Sequence, residues 1–312
     1  MKSFWENVEI KIQSGVKTAL LVVVKSSGSS PGKAGFKMMI SEDGDVAGSI
    51  GGGTMEYNIV RKVREELAAG TFEIMLKKQE HKSASPEDKS GLICSGVQWI
   101  AFYPVDKKDL QMLNKIINIE QDEKSDIVTY TQNGIDVVNK THTHFVDEKR
   151  WLFTETPGLK NTLYIFGGGH VSLALSRIMK TLDFKVKVYD NRKDVTTFDK
   201  NVYADEKTVI NYNAVKQLVP EGNHVFVAIM TFAHKQDYQV LKQLTDKKVK
   251  YIGMMGSRQK VESVFELLKN DGVPQERLKK IDAPIGMEIG SDTPAEIAVS
   301  VAAKIISVKN KI

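Results

Sequence analysis

Leu163-Tyr-Ile-Phe-Gly-Gly-Gly-His-Val-Ser-Leu-Ala-Leu-Ser-Arg177, followed by Lys185-Val-Lys-Val-Tyr-Asp190, decides the fold class. An apolar strand runs into a glycine turn, a helix leaves the turn, and the next strand ends on an acid. Peptide amides with no side chain over them can touch a phosphate, and a helix start adds unpaired N–H groups and the positive end of a dipole. Asp190 stands 21 residues beyond Gly169, the spacing at which dinucleotide-binding folds read a ribose hydroxyl. Gly167, Gly168, Gly169, His170, Asp190 and Arg192 therefore form the first candidate cofactor site. Asp190 suits a free ribose hydroxyl and Arg192 a phosphate on it, so NAD and NADP stay equally open. His170 reads either as a group facing bound phosphate or as a brace for the turn. Ser172 fills the third fingerprint position, where Gly or Ala is usual, which predicts slightly looser packing of helix on strand.

Outward from this stretch the pattern alternates. Strands are expected at 163–166, 185–190, near 207–211, 224–230 and 249–253, and helices at 170–181, 234–244 and 257–269. Alternating strands and helices with apolar, β-rich strands predict an α/β fold with a Rossmann-like, doubly wound parallel sheet. Gly253-Met-Met-Gly256-Ser257-Arg258 repeats the turn logic at another strand end, with Ser257 as an N-cap and Arg258 free to pair an anion. Thr293-Pro294-Ala295-Glu296 sets a capping hydroxyl, a helix-starting proline and a capping-box acid in register for a last helix.

Thr154-Glu-Thr-Pro-Gly-Leu-Lys-Asn161 combines Pro, Gly and polar residues, and places a boundary between a domain over 1–155 and one over 162–312. The first domain reads as α+β. Phe4, Val8 and Ile12 recur at helical spacing, Thr18 to Val24 is a buried strand, and Asp43-Gly44 turns a hairpin. Gly51, Gly52 and Gly53 form a second glycine turn opening a helix with Met55, Ile59, Val63 and Leu67 on one stripe. Glu56 on that helix is either a site acid or a first-turn carboxylate that satisfies the dipole. Gln79 to Gly91 is a polar loop with the length of a flap, a strand follows over 97–103, and mixed segments run to about Phe153.

Of the 312 residues, 41% are hydrophobic and 27% charged, ordinary values for a globular protein. A net charge of +5 without a long single-sign block argues against nucleic-acid binding. The longest aliphatic run, Ala19 to Val24, is far short of a membrane span, and the N-terminus lacks a signal-peptide core, so a cytoplasmic protein is expected. Cys94 is the single cysteine, which excludes an intrachain disulfide and a thiolate-rich metal site. Its setting, Gly91-Leu-Ile-Cys-Ser-Gly96, leaves a used thiol and a small buried hydrophobe both open.

Other patterns carry less. Gly28-Ser-Ser-Pro-Gly32-Lys33-Ala34 is one residue short of a Walker loop and has Ala34 where the magnesium-holding hydroxyl belongs. His142-x-His144 has no third ligand beside it, and no Gly-x-Ser-x-Gly elbow occurs.

Taken together these segments closely resemble the xanthine dehydrogenase accessory family, the XdhC-type and CoxI-type proteins. The resemblance rests on Gly28-Ser-Ser-Pro31, Gly48-Ser-Ile-Gly-Gly-Gly53 with Glu56, Cys94-Ser-Gly96, Ile165-Phe-Gly-Gly-Gly-His170, Asp190-Asn-Arg192, Tyr251-Ile-Gly-Met-Met-Gly-Ser-Arg258 and Ala283-Pro-Ile-Gly286 through Thr293-Pro-Ala-Glu-Ile-Ala298, in family order. It implies a homodimeric protein, itself not a catalyst, that binds and protects molybdenum cofactor (molybdopterin or its dinucleotide form). Such a protein presents the cofactor to a cysteine desulfurase and delivers it to a molybdenum hydroxylase of xanthine dehydrogenase type. In that reading Ser30 and the glycine turns hold the pterin phosphate, and Cys94 sits near the molybdenum. Read alone, the Rossmann half implies instead an NAD(P)-dependent oxidoreductase, and a ligand-free component of a hydroxylase is a third possibility. Two departures stand out: Gly32 replaces the family's usual Arg after Ser-Pro, with Lys33 next, and Cys-Ser95-Gly replaces Cys-Gly-Gly.

Overall fold

The computed structural model describes residues 3–80, 96–122, 124–139, 144–147 and 149–310. The chain divides into two compact units, Met1–Leu159 and Lys160–Ile312. Among the described residues no helix is long and apolar enough to cross a membrane.

The first unit opens with α1 (Phe4–Gln13), then β1 (Thr18–Ser27), β2 (Lys37–Ser41), β3 (Val46–Gly48), α2 (Gly53–Ala69), β4 (Met75–Glu80) and β5 (Val97–Val105). After α3 (Leu110–Gln121) come β6 (Ile127–Thr131), β7 (Gly134–Val138), β8 (His144–Asp147) and β9 (Arg150–Glu155). Two antiparallel sheets result, ordered β3-β2-β1-β5-β4 and β7-β6-β9-β8. Alternation along β1 explains the layering: Leu20, Val22 and Val24 join a core with Trp5, Ile116 and Tyr130, while Ala19, Leu21 and Val23 meet Met55, Val63 and Leu67 of α2. Burying a side chain such as Leu or Val is worth about 1.5–3 kcal/mol, so a strand covered on both faces anchors the unit. Ser3 and Glu6 close a capping box on α1, and Gly70 ends α2 in the left-handed conformation.

The expected long strand, hairpin and glycine-led helix all form here. Two readings change: β1 runs beyond the expected Val24 to Ser27, and Gln79 and Glu80 belong to β4, paired with Gln98 and Val97. The rest of the expected flap, 81–91, lies outside the described residues. The stretch read only as mixed segments contains a helix and a whole second sheet. Its strands are four to six residues long, and β7 and β9 are mostly half-buried, so they carry little period-2 contrast.

The second unit runs β10 (Thr162–Phe166), α4 (His170–Thr181), β11 (Lys185–Asp190), α5 (Thr196–Asp199), β12 (Glu206–Val209), α6 (Val215–Leu218), β13 (Gly222–Ile229), α7 (His234–Leu244), β14 (Val249–Met254), α8 (Arg258–Asn270), α9 (Gln275–Leu278) and α10 (Pro294–Asn310). All its strand pairs are parallel, in the order β12-β11-β10-β13-β14. One face packs Phe166, Val227 and Met254 against α7 and α8, and the other packs Ile165, Val188 and Ala228 against α4 and α10. This is the doubly wound α/β arrangement, and its strand order reverses between β10 and β13. Ligands of such sheets bind outside the carboxyl ends of the strands at that reversal.

Candidate functional site

In the second unit, the glycine turn lies at the reversal point, and its three glycines do different jobs. Gly167 has φ +115, and its N–H donates to Tyr189 O at 2.7 Å; a Cβ there would stand 2.2 Å from Met230 O. Gly168 donates to Asp190 Oδ2 at 2.7 Å and accepts from Thr197 Oγ1, and a Cβ on it would meet Phe198 at 2.7 Å. Both are consumed by the chain's own packing. Gly169 is the N-cap of α4 with ordinary extended backbone and open space where a Cβ would stand. No side chain caps this helix, and its first internal bond runs from Leu173 N to Gly169 O. The amides of His170, Val171 and Ser172 therefore have no partner within the helix. The His170 side chain is exposed. Ser172 is 1% exposed, and among the described residues its hydroxyl has no hydrogen-bond partner.

Asp190 and Arg192 satisfy each other. Asp190, 1% exposed, accepts from Arg192 N (2.9 Å) and Nε (3.0 Å) at Oδ1, and from Gly168 N and Arg192 Nη2 (2.8 Å) at Oδ2. The expectation that Asp190 stands ready for a ribose hydroxyl and Arg192 for a phosphate is corrected by this fork: each is already spent on the other. Burial works against ionisation, but the bonds from Arg192 and the amides of Gly168 and Arg192 hold the Asp190 carboxyl below its ordinary value of 3.8. A depressed value means that the carboxylate stabilises the fold fully above pH 3.8, and that this contribution drains away as pH falls through the lower folded-state value. Asp190→Asn is expected to flatten this acid limb in a series of denaturation curves from neutral pH downward; an unchanged limb would assign it to other carboxylates.

Sequence reasoning missed three residues beside this turn. Asp237, fully buried, accepts from Thr231 N (3.0 Å) and Thr231 Oγ1 (2.6 Å) and forms an ion pair with Lys260, whose Nζ also donates to Met255 O at 3.3 Å. The pair clamps the loops after β13 and β14 together. Phe232, 78% exposed, stands next to the clamped Thr231, its ring centroid 5.2 Å from the Arg192 guanidinium carbon. An aromatic directly past a strand end was the available signal for Phe232; the clamp joins residues too far apart in sequence to suggest one another.

At the other turn, Ser257 is the N-cap of α8 and accepts from Lys260 N at 3.2 Å, and Gly256 lies against the Lys260 methylenes. Arg258 pairs with Glu288 at 2.9 Å, but both side chains are exposed, so the contact is weak and leaves Arg258 accessible to solvent. Asp282 receives Tyr251 Oη (2.6 Å), Gly286 N (2.9 Å) and Lys304 Nζ (3.0 Å), fixing the 283–286 segment on β14. Burial and then the Asp282 charge push the Tyr251 phenol up, so it serves as a neutral donor.

In the first unit the motifs meet on a residue that none of them contains. Gln98, fully buried on β5, accepts at Oε1 from Ser30 Oγ (3.0 Å) and Gly32 N (2.9 Å), and donates from Nε2 to Ile50 O (3.2 Å). Ser30, 3% exposed, shares that single hydroxyl proton with Gly32 O at 2.6 Å. A Cβ on Gly96 would stand 2.1 Å from Ser30 N, and one on Gly51 would stand 2.8 Å from Gly32 N. The loops at 28–35 and 48–53 and the start of β5 are thus pressed into one block. Gly32 has no room for the family's usual Arg, since a Cβ would lie 2.2 Å from Ile50 O. Glu56 is a brace: its Oε2 accepts from Ser49 Oγ (2.8 Å), Ile50 N (3.0 Å) and Gly52 N (2.8 Å). Gly52, the N-cap of α2, has φ +74 and open space above it, and Gly53 begins the helix. Cys94 and the His142-x-His144 side chains lie outside the described residues. Among the described residues no group of three His, Cys, Asp or Glu could hold a metal ion.

A Rossmann-type doubly wound unit with an amide-lined turn, preceded by an α+β unit built on a Gln98-tied loop block, defines the class. Residues 163–305 match the XdhC Rossmann domain and residues 12–77 match the XdhC and CoxI family, so both units carry the assignment and the chain belongs to that family. The chain is 23% identical, over 99% of its length, to the uncharacterised protein YqeB of Escherichia coli (strain K12), and spans only 47% of that relative. It is 21% identical to a probable xanthine dehydrogenase subunit of Bacillus subtilis (strain 168), covering 100% of this chain and 99% of the relative. A crystal structure described as a xanthine dehydrogenase from Bacillus halodurans shares the fold, with a TM-score of 0.73 at 24% identity over 98% of this chain and 96% of the other.

Proposed function

We propose that the chain is an accessory factor of a xanthine dehydrogenase-type molybdenum hydroxylase, one that binds, protects and hands over sulfurated molybdenum cofactor. In this reading it works as a cytoplasmic homodimer that receives sulfur from a cysteine desulfurase and has no turnover of its own. The family assignment supports the reading, and so does the Bacillus subtilis relative, named for a xanthine dehydrogenase. The observation that carries it is a contrast: the acids that would do chemistry, Asp190 in the second unit and Glu56 in the first, are filled by internal donors, while Gly169 has open space where a Cβ would stand and the amides of 170–172 have no partner within α4. That is a holding site.

The residues fit the phosphate of a pterin: amides at the positive end of a twelve-residue helix, with no Cβ in the way. When bound, the cofactor would supply the molybdenum and its exchangeable sulfur. The chain's own part is to grip the phosphate with the amides of 169–172, and Cys94 is the candidate thiol near the metal.

Gly169→Asp is the test. Asp is a favourable N-cap, and the site has room for it, so stability should stay within about 0.5 kcal/mol of the parent. A carboxylate about 4 Å from a phosphate at a partly exposed site opposes it by about 4 kcal/mol, far more than a tenfold loss of affinity. Protein mixed anaerobically with molybdenum cofactor and passed through gel filtration should therefore retain molybdenum, and the variant should not. No retention by the parent removes the reading; equal retention by both moves the site away from Gly169.

The Rossmann strand order favours NAD(P) as the second ligand to try. The emission of NADH itself is the readout.

A further inference from the structure

We propose that Phe232 is a stacking platform, and that the ligand of the α4 turn is a phosphorylated planar heterocycle whose ring lies on it. This rests on the reading that the amides at Gly169 hold a phosphate.

A phenylalanine 78% exposed gives up most of the stabilisation that burial of its ring would bring. The structure nonetheless holds it in one place from both sides. On one side Thr231 is fixed through its amide and its hydroxyl to the fully buried Asp237, whose charge is matched by Lys260. On the other, the ring rests against Arg192, and that guanidinium is held flat by its two-point contact with Asp190. A buried carboxylate and a matched cation are a costly way to fix a surface loop, which is the arrangement a presented side chain requires.

Phe232 is tied to the phosphate turn by two short routes. Gly167 presses on Met230 and Thr231, the two residues before it, and Gly168 donates to the Asp190 that holds Arg192. The open position at Gly169 follows directly in the chain. A ligand with its phosphate on the α4 amides therefore has an aromatic face beside it. Stacking on an aromatic ring needs only a π-face, so it suits a pterin, flavin or purine alike, and Arg192 behind the ring adds to the attraction.

Flavin mononucleotide is the probe, because it is a phosphorylated planar heterocycle whose emission is quenched on stacking; riboflavin lacks the phosphate and serves as control. The parent protein should bind flavin mononucleotide with quenching and riboflavin much more weakly. Phe232→Ala should lose about tenfold or more in affinity. Phe232→Trp should keep it with deeper quenching, and inorganic phosphate should compete equally with parent and variants. The residue is exposed, so each variant should fold with an unchanged melting temperature. Equal binding by Phe232→Ala overturns the platform. So does a loss of phosphate competition in Phe232→Ala alone, which would mean that the substitution had disturbed the phosphate turn, or a change in oligomeric state, which would make Phe232 a contact between copies. Molybdenum cofactor retention measured on the same proteins separates the two ideas. Retention by parent and Phe232→Ala alike removes the platform and leaves the holding site, whereas no retention and no flavin binding by the parent removes both.

Discussion

Gln98→Met is expected to destabilise the first unit by about 2–6 kcal/mol, because two buried backbone groups lose their side-chain partner and each costs about 1–3 kcal/mol unpaired. Those groups are the Gly32 N–H and the Ile50 carbonyl, which sit in different loops and are joined through the one amide side chain. Met keeps the length and most of the volume of Gln, so little cavity energy confounds the result. Ser30 retains its bond to Gly32 O, which localises the damage to the junction between loops. Denaturant unfolding gives the magnitude, and amide hydrogen exchange gives the place: protection should be lost at Gly32 before the β1 core opens. A cost under about 1 kcal/mol would show that the block is held by backbone packing at Gly96 and Gly51 alone.

Gly167→Ala should be the most damaging change in the second unit, at about 4 kcal/mol or more. Backbone at φ +115 costs an L-residue about 1–3 kcal/mol. The added methyl must also displace Met230 O, 2.2 Å away, and that residue, directly after β13, is bound to β10 through its N–H to Phe166 O at 2.8 Å. Gly169→Asp, two residues on, is the internal reference and should be near neutral in the same unfolding experiment. If the two variants unfold alike, the turn is not packed against β13 as described.

Much of the fold is legible in the sequence, and what is not shares a cause. The second unit can be read almost element by element because parallel strands covered on both faces are continuous apolar runs, as at 163–166 and 225–229, with helices of clear 3.6 period between them. Family motifs named the turns that matter. The sequence could not tell which glycine serves packing and which serves a ligand, since Gly167, Gly168 and Gly169 look identical until Met230, Phe198 and open space are set against them. Nor did it reveal Gln98, Asp237 or Lys260, whose roles come from partners dozens of residues away or in another loop. Arg192 illustrates the opposite case: a cation next to a motif invites a ligand role, but the buried acid two residues before it is its partner in the structure.

The fork between Asp190 and Arg192 gives the pocket a resident competitor. On the proposed reading, a ligand that hydrogen-bonds Asp190 through a ribose has to compete with Arg192, whose acid partner is buried while its own side chain is 37% exposed. A ligand that needs only the helix amides meets no such toll. On the proposed reading, the selectivity of the turn is thus set by what the chain does to itself, before any ligand arrives.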